Sequence, residues 1–213
     1  MKFEAVLFDM DGTLLDTIAD LGGALNHTLE ENGYPRRSRE EIRSFVGNGA
    51  RRLVRLALPE SVDEAEAERV LKLYQAYYLA HPCVETCPYP GIADVVAELQ
   101  RRGVKTAIVS NKPHDTACAL GARFFPGMLT VGDDGVHPRK PAPDNVYRAL
   151  ALLGAAPERT AYVGDSEVDL ATGRNSGTTP VIVGWGYRRA AELRQSGVPH
   201  VVETMGELLE NLL

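Results

Sequence analysis

Two aspartates stand two residues apart directly after an apolar run near the start of the chain. The run is AVLF at residues 5–8, and the acids are Asp9 and Asp11. The run predicts a buried strand, and two carboxylates at its end place like charges close together unless a cation or a shared proton relieves them. Open α/β sheets bind ligands outside the carboxyl ends of their strands. The pair therefore predicts a functional site at this edge of a sheet.

Three further polar features come at the ends of other predicted strands or on loops that reach the same edge. SNK occupies residues 110–112 after the apolar run at 105–109, and GDSEVD occupies residues 164–169 after the run at 160–163. Lys140 lies in the loop before a predicted helix. If all these strands are parallel, their polar ends meet along one sheet edge.

Acids, a hydroxyl, an amide and a lysine on one edge are the groups that magnesium-dependent phosphoryl transfer uses. Mg²⁺ prefers a few carboxylate oxygens and keeps waters and a substrate phosphate as its other ligands. Asp9 and Asp165 can supply the carboxylates. Lys140 and the ion can together neutralise the charge of the phosphate. Ser110 can donate a hydrogen bond to a phosphate oxygen. The sequence thus predicts a phosphate-ester substrate and a Mg²⁺ cofactor.

The two opening aspartates can divide the chemistry between them. A carboxylate can attack phosphorus and form an aspartyl-phosphate, and Asp9 is the candidate nucleophile. Asp11 can then protonate the leaving alkoxide and later deprotonate the attacking water. We also expect Thr13 and Asn111 to contact the substrate.

Composition excludes several other classes of function. The chain has 213 residues, of which 44% are hydrophobic and 24% charged, and its formal net charge is −6. These are the values of an ordinary globular protein, and the negative charge argues against binding to a nucleic-acid backbone. No stretch approaches the roughly 18 to 20 continuous apolar residues of a membrane helix, and no signal peptide is evident. We therefore expect a cytoplasmic protein with a small-molecule partner and no membrane or nucleic-acid partner.

Strands and helices alternate through the last two-thirds of the chain, which predicts an α/β fold with a Rossmann-like parallel sheet. Predicted strands cover residues 5–8, 105–109, 128–131, 160–163, 180–183 and 200–202. Segments of helical period separate most of them, at residues 92–102, 113–120, 145–153, 170–175 and 205–213.

A long helical block follows the first strand without another strand. Within it, SREE at residues 38–41 has the spacing of a capping box that begins a new helix. A single crossover rarely needs so much helix. We predict an inserted α-helical cap domain over residues 16–82, with residues 1–15 and 83–213 forming the core domain.

The predicted cap contains a glycine-rich loop and nearby arginines. Gly47 and Gly49 flank Asn48, and this loop either serves only as a tight turn or also touches the substrate. Arginines follow it on a helix, and Arg51 is our candidate for pairing with a substrate carboxylate, alongside Arg52 and Arg55 as alternatives.

These motifs, in this order, resemble those of the haloacid dehalogenase-like phosphatase superfamily. DMDGT at residues 9–13 resembles its first motif, Ser110 its second, Lys140 its third and residues 164–169 its fourth. The position of the helical block resembles that of the superfamily's cap domain.

The resemblance implies roles for the acidic residues. Asp9 is the implied nucleophile and Asp11 the implied general acid and base. Mg²⁺ is implied to bind Asp9, the backbone carbonyl of Asp11 and Asp165, with support from Asp169. The acid at position 11 favours phosphate-ester hydrolysis over dehalogenation.

Weaker details resemble the phosphoglycolate phosphatases within that superfamily, and 2-phosphoglycolate is the substrate we expect. The details are VGNG at 46–49, SNKP at 110–113, RKPAPD at 139–144 and GWGYR at 184–188. Three alternatives are other capped enzymes: a β-phosphoglucomutase-like phosphotransferase, a pyrophosphatase or a nucleotide phosphatase. A fourth, of another class, is a receiver-like module phosphorylated on Asp9 as a signal. The sequence is compatible with a monomer or a homodimer.

Overall fold

A six-stranded parallel sheet forms the centre of the larger part of the molecule. The structure, a computed structural model, describes residues 2–213. Strands are numbered in chain order, and those of the sheet are β1 (Ala5–Phe8), β4 (Lys105–Pro113), β5 (Leu129–Asp133), β6 (Thr160–Gly164), β7 (Thr179–Val183) and β8 (Val201–Val202). Their order is β5-β4-β1-β6-β7-β8. The predicted α/β fold with a parallel sheet is confirmed.

Strand β1 lies inside the sheet, between β4 and β6, and all four of its side chains are apolar and fully buried. A strand covered by helices on both faces reads as a continuous apolar run rather than an alternating one. The register places Phe8 beside Ile108 of β4 and Val163 of β6. The backbone N–H of Asp9 donates to the carbonyl oxygen of Val163 at 2.8 Å. Asp9 therefore stands at the carboxyl edge, between two neighbouring strand ends.

Six α-helices and one short 3-10 helix accompany the sheet. They are α5 (Ile92–Arg101), α6 (His114–Phe124), α7 (Asp144–Leu153), the 3-10 helix Pro157–Arg159, α8 (Glu167–Ser176), α9 (Ala190–Gln195) and α10 (Met205–Leu212). On one face, Val146 and Leu150 of α7 pack in a buried cluster with Leu7 and Tyr162 of the sheet. The sequence did not predict α9, whose six residues are too few to show a clear helical period.

The remaining residues form a second, helical unit. The chain divides into one unit that runs to Asp16 and resumes at Pro88, and another that covers Thr17–Cys87. The second contains α1 (Ile18–Glu31), α2 (Arg39–Phe45), α3 (Gly49–Ala57) and α4 (Glu64–Ala80). Two short strands, β2 (Leu15–Asp16) and β3 (Cys87–Pro88), make a separate two-stranded sheet.

Helix α2 begins at the predicted capping box. The Glu41 N–H donates to Ser38 Oγ at 3.2 Å, and the Ser38 N–H donates to Glu41 Oε2 at 2.7 Å. Both bonds satisfy backbone donors that a helix start leaves without an intrahelical partner. This part of the sequence prediction is confirmed.

A buried carboxylate ties the first turn of α1 to the segment that follows α4. Asp20 accepts hydrogen bonds from the backbone N–H groups of Val84, Glu85 and Thr86, and from the Thr86 hydroxyl at 2.6 Å. Burial opposes ionisation of Asp20, but the bonds from Thr86 and its neighbours outweigh burial and lower the pKa. These hydrogen bonds join the beginning and the end of the helical unit.

Within residues 2–213, none of the helices combines the length and apolar character required to cross a membrane.

Candidate active site

Three buried aspartates come together at the carboxyl edge of the sheet. Asp9 follows β1, Asp165 follows β6, and Asp169 lies in the first turn of α8. One carboxylate oxygen from each lies within 4.8 Å of the others, and all three residues are buried. Because β1 and β6 are parallel neighbours, the residues that follow them emerge side by side.

The side chain of Lys140 lies among these carboxylates. Its Nζ is 2.8 Å from Asp9 Oδ1 and 2.9 Å from Asp169 Oδ1, and the side chain is 3% exposed. Three carboxylates and one ammonium leave two negative charges without compensation when all four groups are ionised. An all-oxygen donor set with this excess charge fits a hard divalent cation such as Mg²⁺.

Burial, and to a smaller extent the crowding of like charges, disfavours ionisation of Asp9 and Asp165. Burial raises the pKa of Asp9 to about 7, with Lys140 opposing the rise and Asp169 adding to it. Burial also raises the pKa of Asp165, reinforced by the charges of Asp169 and Asp9. Burial disfavours the charged form of Lys140, but Asp169 and Asp9 outweigh it and raise its pKa. Because a bound cation would favour both carboxylate charges, these shifts support the cation fit.

Neighbouring polar groups orient Lys140 and Asp169. The Asn111 amide donates to the Lys140 carbonyl oxygen at 3.1 Å and accepts from the Lys140 N–H at 2.9 Å. Ser166 Oγ donates to Asp169 Oδ2 at 2.6 Å. Asn111 was predicted to contact substrate; in this structure both ends of its amide bind the Lys140 backbone.

Asp11 has a different partner from the other acids. Lys112 Nζ lies 2.9 Å from Asp11 Oδ1 and 3.0 Å from Oδ2, and the Lys112 side chain is 2% exposed. The Asp11 side chain is not in the three-carboxylate group. Residues 110–112 belong to the predicted site, but their pattern assigned no role to Lys112. A lysine two residues after Ser110, on the same strand end, was the available signal.

Ser110 and Thr13 are both buried at this edge. Ser110 Oγ accepts from the Lys112 N–H at 3.3 Å, so its own proton is available to donate to a ligand. Thr13 Oγ1 donates to Asp165 Oδ1 at 3.4 Å. Thr13 thus contacts the carboxylate cluster.

The loop after β7 closes on the same site. The Trp185 Nε1–H donates to the Thr13 carbonyl oxygen at 3.2 Å, and the Tyr187 N–H donates to Asp165 Oδ2 at 2.7 Å. Between them, Gly186 approaches so closely that a Cβ there would overlap the Gly12 carbonyl oxygen and the Asp165 side chain. Residues 184–188 showed only a resemblance in the sequence, because nothing local indicates that Trp185 binds Thr13, 172 positions earlier.

The predicted cap residues all lie in the helical unit. Gly47 and Gly49 have φ values of +119° and +82°, which favour glycine, and Asn48 is the N-cap of α3. The Arg51 guanidinium pairs with Glu68 at 2.5 Å and, at 3.6 Å, with Glu64. Substrate contact by this loop and by Arg51 stays a prediction.

Comparisons with known proteins point to one family. The sequence profile described as haloacid dehalogenase-like hydrolase matches residues 6–183. A phosphoglycolate phosphatase of Aquifex aeolicus is 35% identical over 185 residues, which cover 85% of this chain and 85% of that protein. A phosphoglycolate phosphatase of Mesorhizobium japonicum is 33% identical and covers 100% of this chain and 98% of its own length.

A solved structure gives the same picture in three dimensions. The crystal structure of a provisionally named phosphoglycolate phosphatase from Lactobacillus delbrueckii subsp. bulgaricus is 37% identical, with a TM-score of 0.94. The match covers 100% of this chain and 99% of that one. The similarity therefore extends over both units of the chain.

Proposed function

The chain belongs to the haloacid dehalogenase-like hydrolase family, and from that premise we propose that it is a magnesium-dependent phosphatase of small phosphate monoesters, with 2-phosphoglycolate as its substrate. The observation that carries the proposal is the cluster of Asp9, Asp165 and Asp169 around Lys140, with Asp11 at the same edge. The names of the relatives support the choice of substrate.

Asp9, Asp165 and the backbone carbonyl of Asp11 would hold the Mg²⁺ ion. Asp169 would support the site indirectly, through its ion pair with Lys140. When bound, the ion supplies positive charge that stabilises the charge developing on the transferring phosphoryl group. The ammonium of Lys140 adds a further positive charge at the Asp9 carboxylate. The Ser110 hydroxyl donates a hydrogen bond to a phosphate oxygen.

In the first step a carboxylate oxygen of Asp9 attacks phosphorus, and the bond from phosphorus to the ester oxygen breaks. Protonated Asp11 gives its proton to the leaving alkoxide, so an alcohol departs and an aspartyl-phosphate remains on Asp9. The Asp11 carboxylate stands two residues after the nucleophile at the end of β1, which places both groups on one strand end.

In the second step the Asp11 carboxylate takes a proton from water as the water oxygen attacks phosphorus. The bond between phosphorus and the Asp9 oxygen breaks, inorganic phosphate leaves, and the Asp9 carboxylate is restored. Two residues thus perform nucleophilic and acid–base catalysis in turn. In the helical unit, Gly47, Asn48, Gly49 and Arg51 are proposed to contribute substrate contacts.

Phosphate release from a panel of phosphate esters tests the proposal. Purified protein is assayed with Mg²⁺ or with EDTA on 2-phosphoglycolate, β-glucose 1-phosphate, pyrophosphate, nucleotides and p-nitrophenyl phosphate. We expect Mg²⁺-dependent turnover with the highest kcat/KM for 2-phosphoglycolate. Preference for another ester would contradict the assignment of 2-phosphoglycolate as the substrate. Absence of turnover on every compound would refute the phosphatase proposal.

Replacing Asp11 should damage the reaction in a way that depends on the leaving group. In Asp11→Asn we expect kcat/KM on 2-phosphoglycolate, which reports the step in which the alcohol leaves, to fall about 10³-fold, because general acid–base catalysis contributes about 10²- to 10⁴-fold. The fall on p-nitrophenyl phosphate should be smaller, since nitrophenolate leaves without a proton. Steady-state kinetics on both esters measure the difference. An equal loss on both would remove Asp11 from the role of acid.

Adding a single methyl group at Gly186 should disturb the proposed metal site, although Gly186 is not one of its ligands. In Gly186→Ala the new Cβ displaces Asp165, whose side chain it would overlap. We expect the Mg²⁺ concentration for half-maximal activity to rise about 10-fold, and stability to fall by about 1–3 kcal/mol, as overpacking does.

Gly206→Ala is the matched control, because a Cβ at Gly206 in α10 meets nothing within 4 Å. It should leave the Mg²⁺ dependence and the melting temperature close to those of the wild type. A Gly186→Ala variant that behaves like this control would show that the loop after β7 does not support Asp165.

A further inference from the structure

Lys112 is a buried cation that the proposed mechanism does not use. It lies near the end of β4, two residues after Ser110, and its side chain is 2% exposed. Its Nζ donates to both carboxylate oxygens of Asp11, at 2.9 and 3.0 Å. The other buried lysine at this edge, Lys140, is bound to Asp9 and Asp169. In these contacts the two lysines pair with different aspartates.

Catalysis requires Asp11 to give up part of this contact. The inference rests on the proposed function, in which Asp11, protonated, turns a carboxyl oxygen towards the leaving-group oxygen of the substrate. In doing so it loosens a hydrogen bond to Lys112. A buried ammonium that loses hydrogen bonds to an anion is costly unless another anion replaces it. A substrate that brings such an anion to Lys112 is therefore favoured.

The distances limit where that anion can be on the substrate. A general acid lies about 2.6–3.2 Å from the atom it protonates. Lys112 Nζ lies 2.9 Å from Asp11 Oδ1 and 3.0 Å from Asp11 Oδ2, so either oxygen can be the acid. The ester oxygen is then within about 6 Å of Lys112 Nζ, the sum of two hydrogen-bond lengths. A carboxylate separated from the ester oxygen by a single carbon falls within this reach of Lys112.

We propose that Lys112 is a specificity-determining residue that binds a carboxylate on the leaving group, attached to the same carbon as the phosphate ester. The substrate class is thus the 2-phospho-carboxylic acids, of which 2-phosphoglycolate is the smallest. The carboxylate takes over hydrogen bonds from Lys112 that Asp11 releases. The core unit itself, and not the helical unit alone, then selects the substrate.

A pair of substrates that differ in one charge tests this role. 2-Phosphoglycolate is compared with its amide, in which an uncharged group of nearly the same shape replaces the carboxylate. We expect the wild type to prefer the acid about 100-fold in kcat/KM, the scale of a buried charge pair. In Lys112→Met this ratio should fall about 10-fold or more, leaving only the preference that Arg51 supplies, and in Lys112→Arg it should be partly retained.

Lys105→Met is the matched control, because Lys105 is an exposed lysine at the start of the same strand, bonded to the Gly154 carbonyl oxygen at 2.7 Å. The control should keep the wild-type ratio. If Lys112→Met does not fold, as judged by its melting curve, Lys112→Gln is used instead. Its acid-to-amide ratio of kcat/KM is then compared with that of the wild type.

The outcomes separate the inference from the function on which it rests. A wild type that hydrolyses both substrates without preference overturns the role of Lys112 and leaves the phosphatase proposal standing. An equal loss on both substrates in Lys112→Met, with the ratio unchanged, also overturns it, because Lys112 would then act only on Asp11. A wild type that hydrolyses neither, nor any other ester, refutes the proposed function and the inference with it.

Discussion

The Asp9→Asn variant should release phosphate from 2-phosphoglycolate at least about 10⁴-fold more slowly than the wild type, the scale of nucleophile removal in enzymes with a covalent intermediate. An amide oxygen is a far weaker nucleophile than a carboxylate oxygen, and the remaining groups cannot replace it. The substitution keeps the shape of the side chain and removes one of the three clustered negative charges. Loss of activity should therefore not come with loss of the fold.

Phosphate release under saturating Mg²⁺ and the melting temperature measure the two effects separately. Asp94→Asn is the control, since Asp94 is an exposed carboxylate in the first turn of α5. It should retain wild-type activity. An Asp9→Asn variant with more than about a tenth of wild-type activity would exclude Asp9 as the nucleophile.

The Lys140→Met variant should lose both activity and stability. Lys140 is the cation that Asp9 and Asp169 share, and breaking a buried ion pair by removing one partner costs about 3–5 kcal/mol. Without metal, the unfolding free energy should fall by about this amount near pH 8. Activity should fall about 10³-fold or more, because a positive charge near the transferring phosphoryl group is lost.

The stability loss in Lys140→Met should depend on pH in a defined direction. The pKa of Asp9 is raised to about 7 in the folded protein, above its usual value of 3.8, so its ionisation destabilises the fold. This penalty is absent below the unfolded pKa and complete once pH exceeds the folded pKa. Since Lys140 lowers the pKa of Asp9, its removal enlarges the penalty.

Melting temperatures in EDTA at about pH 5 and about pH 8 measure this dependence. The deficit of Lys140→Met relative to the wild type should be larger at the higher pH. Lys105→Met, which removes an exposed ammonium, should show no such difference. A Lys140→Met deficit that is equal at both pH values, or larger at the lower one, would contradict the charge balance described for the cluster.

The parallel sheet and the meeting of Asp9 with Asp165 could be predicted from the sequence because both depend on local patterns. A continuous apolar run such as residues 5–8 predicts a buried strand, and the polar residue that follows is then assigned to the carboxyl edge. That β1 lies between β4 and β6 requires the strand order, which apolar runs alone do not encode.

Contacts between distant segments could not be predicted in the same way. Lys112 and Asp11 are 101 positions apart, and Trp185 and Thr13 are 172 apart. Each residue type on its own is compatible with a solvated surface position. Only the folded sheet shows that the loop after β7 covers the end of β1.

The hydrogen-bond partners of side chains were also less predictable than their positions. Asn111 stands at the predicted sheet edge, but its amide makes reciprocal bonds with the Lys140 backbone. Arg51 stands on the predicted helix and pairs there with Glu68. A residue type and its spacing show which bonds a side chain can make, whereas the partner depends on what the fold brings near.

Trapping the covalent intermediate tests the central claim most directly. The protein is mixed with Mg²⁺ and 2-phosphoglycolate labelled in its phosphoryl group, quenched in acid during turnover, and digested for peptide mapping. The account predicts that the label is on Asp9, and that the labelled fraction decays after substrate is exhausted at a rate no slower than kcat. Label on another residue, turnover without any label, or a label that persists without turnover would contradict the account.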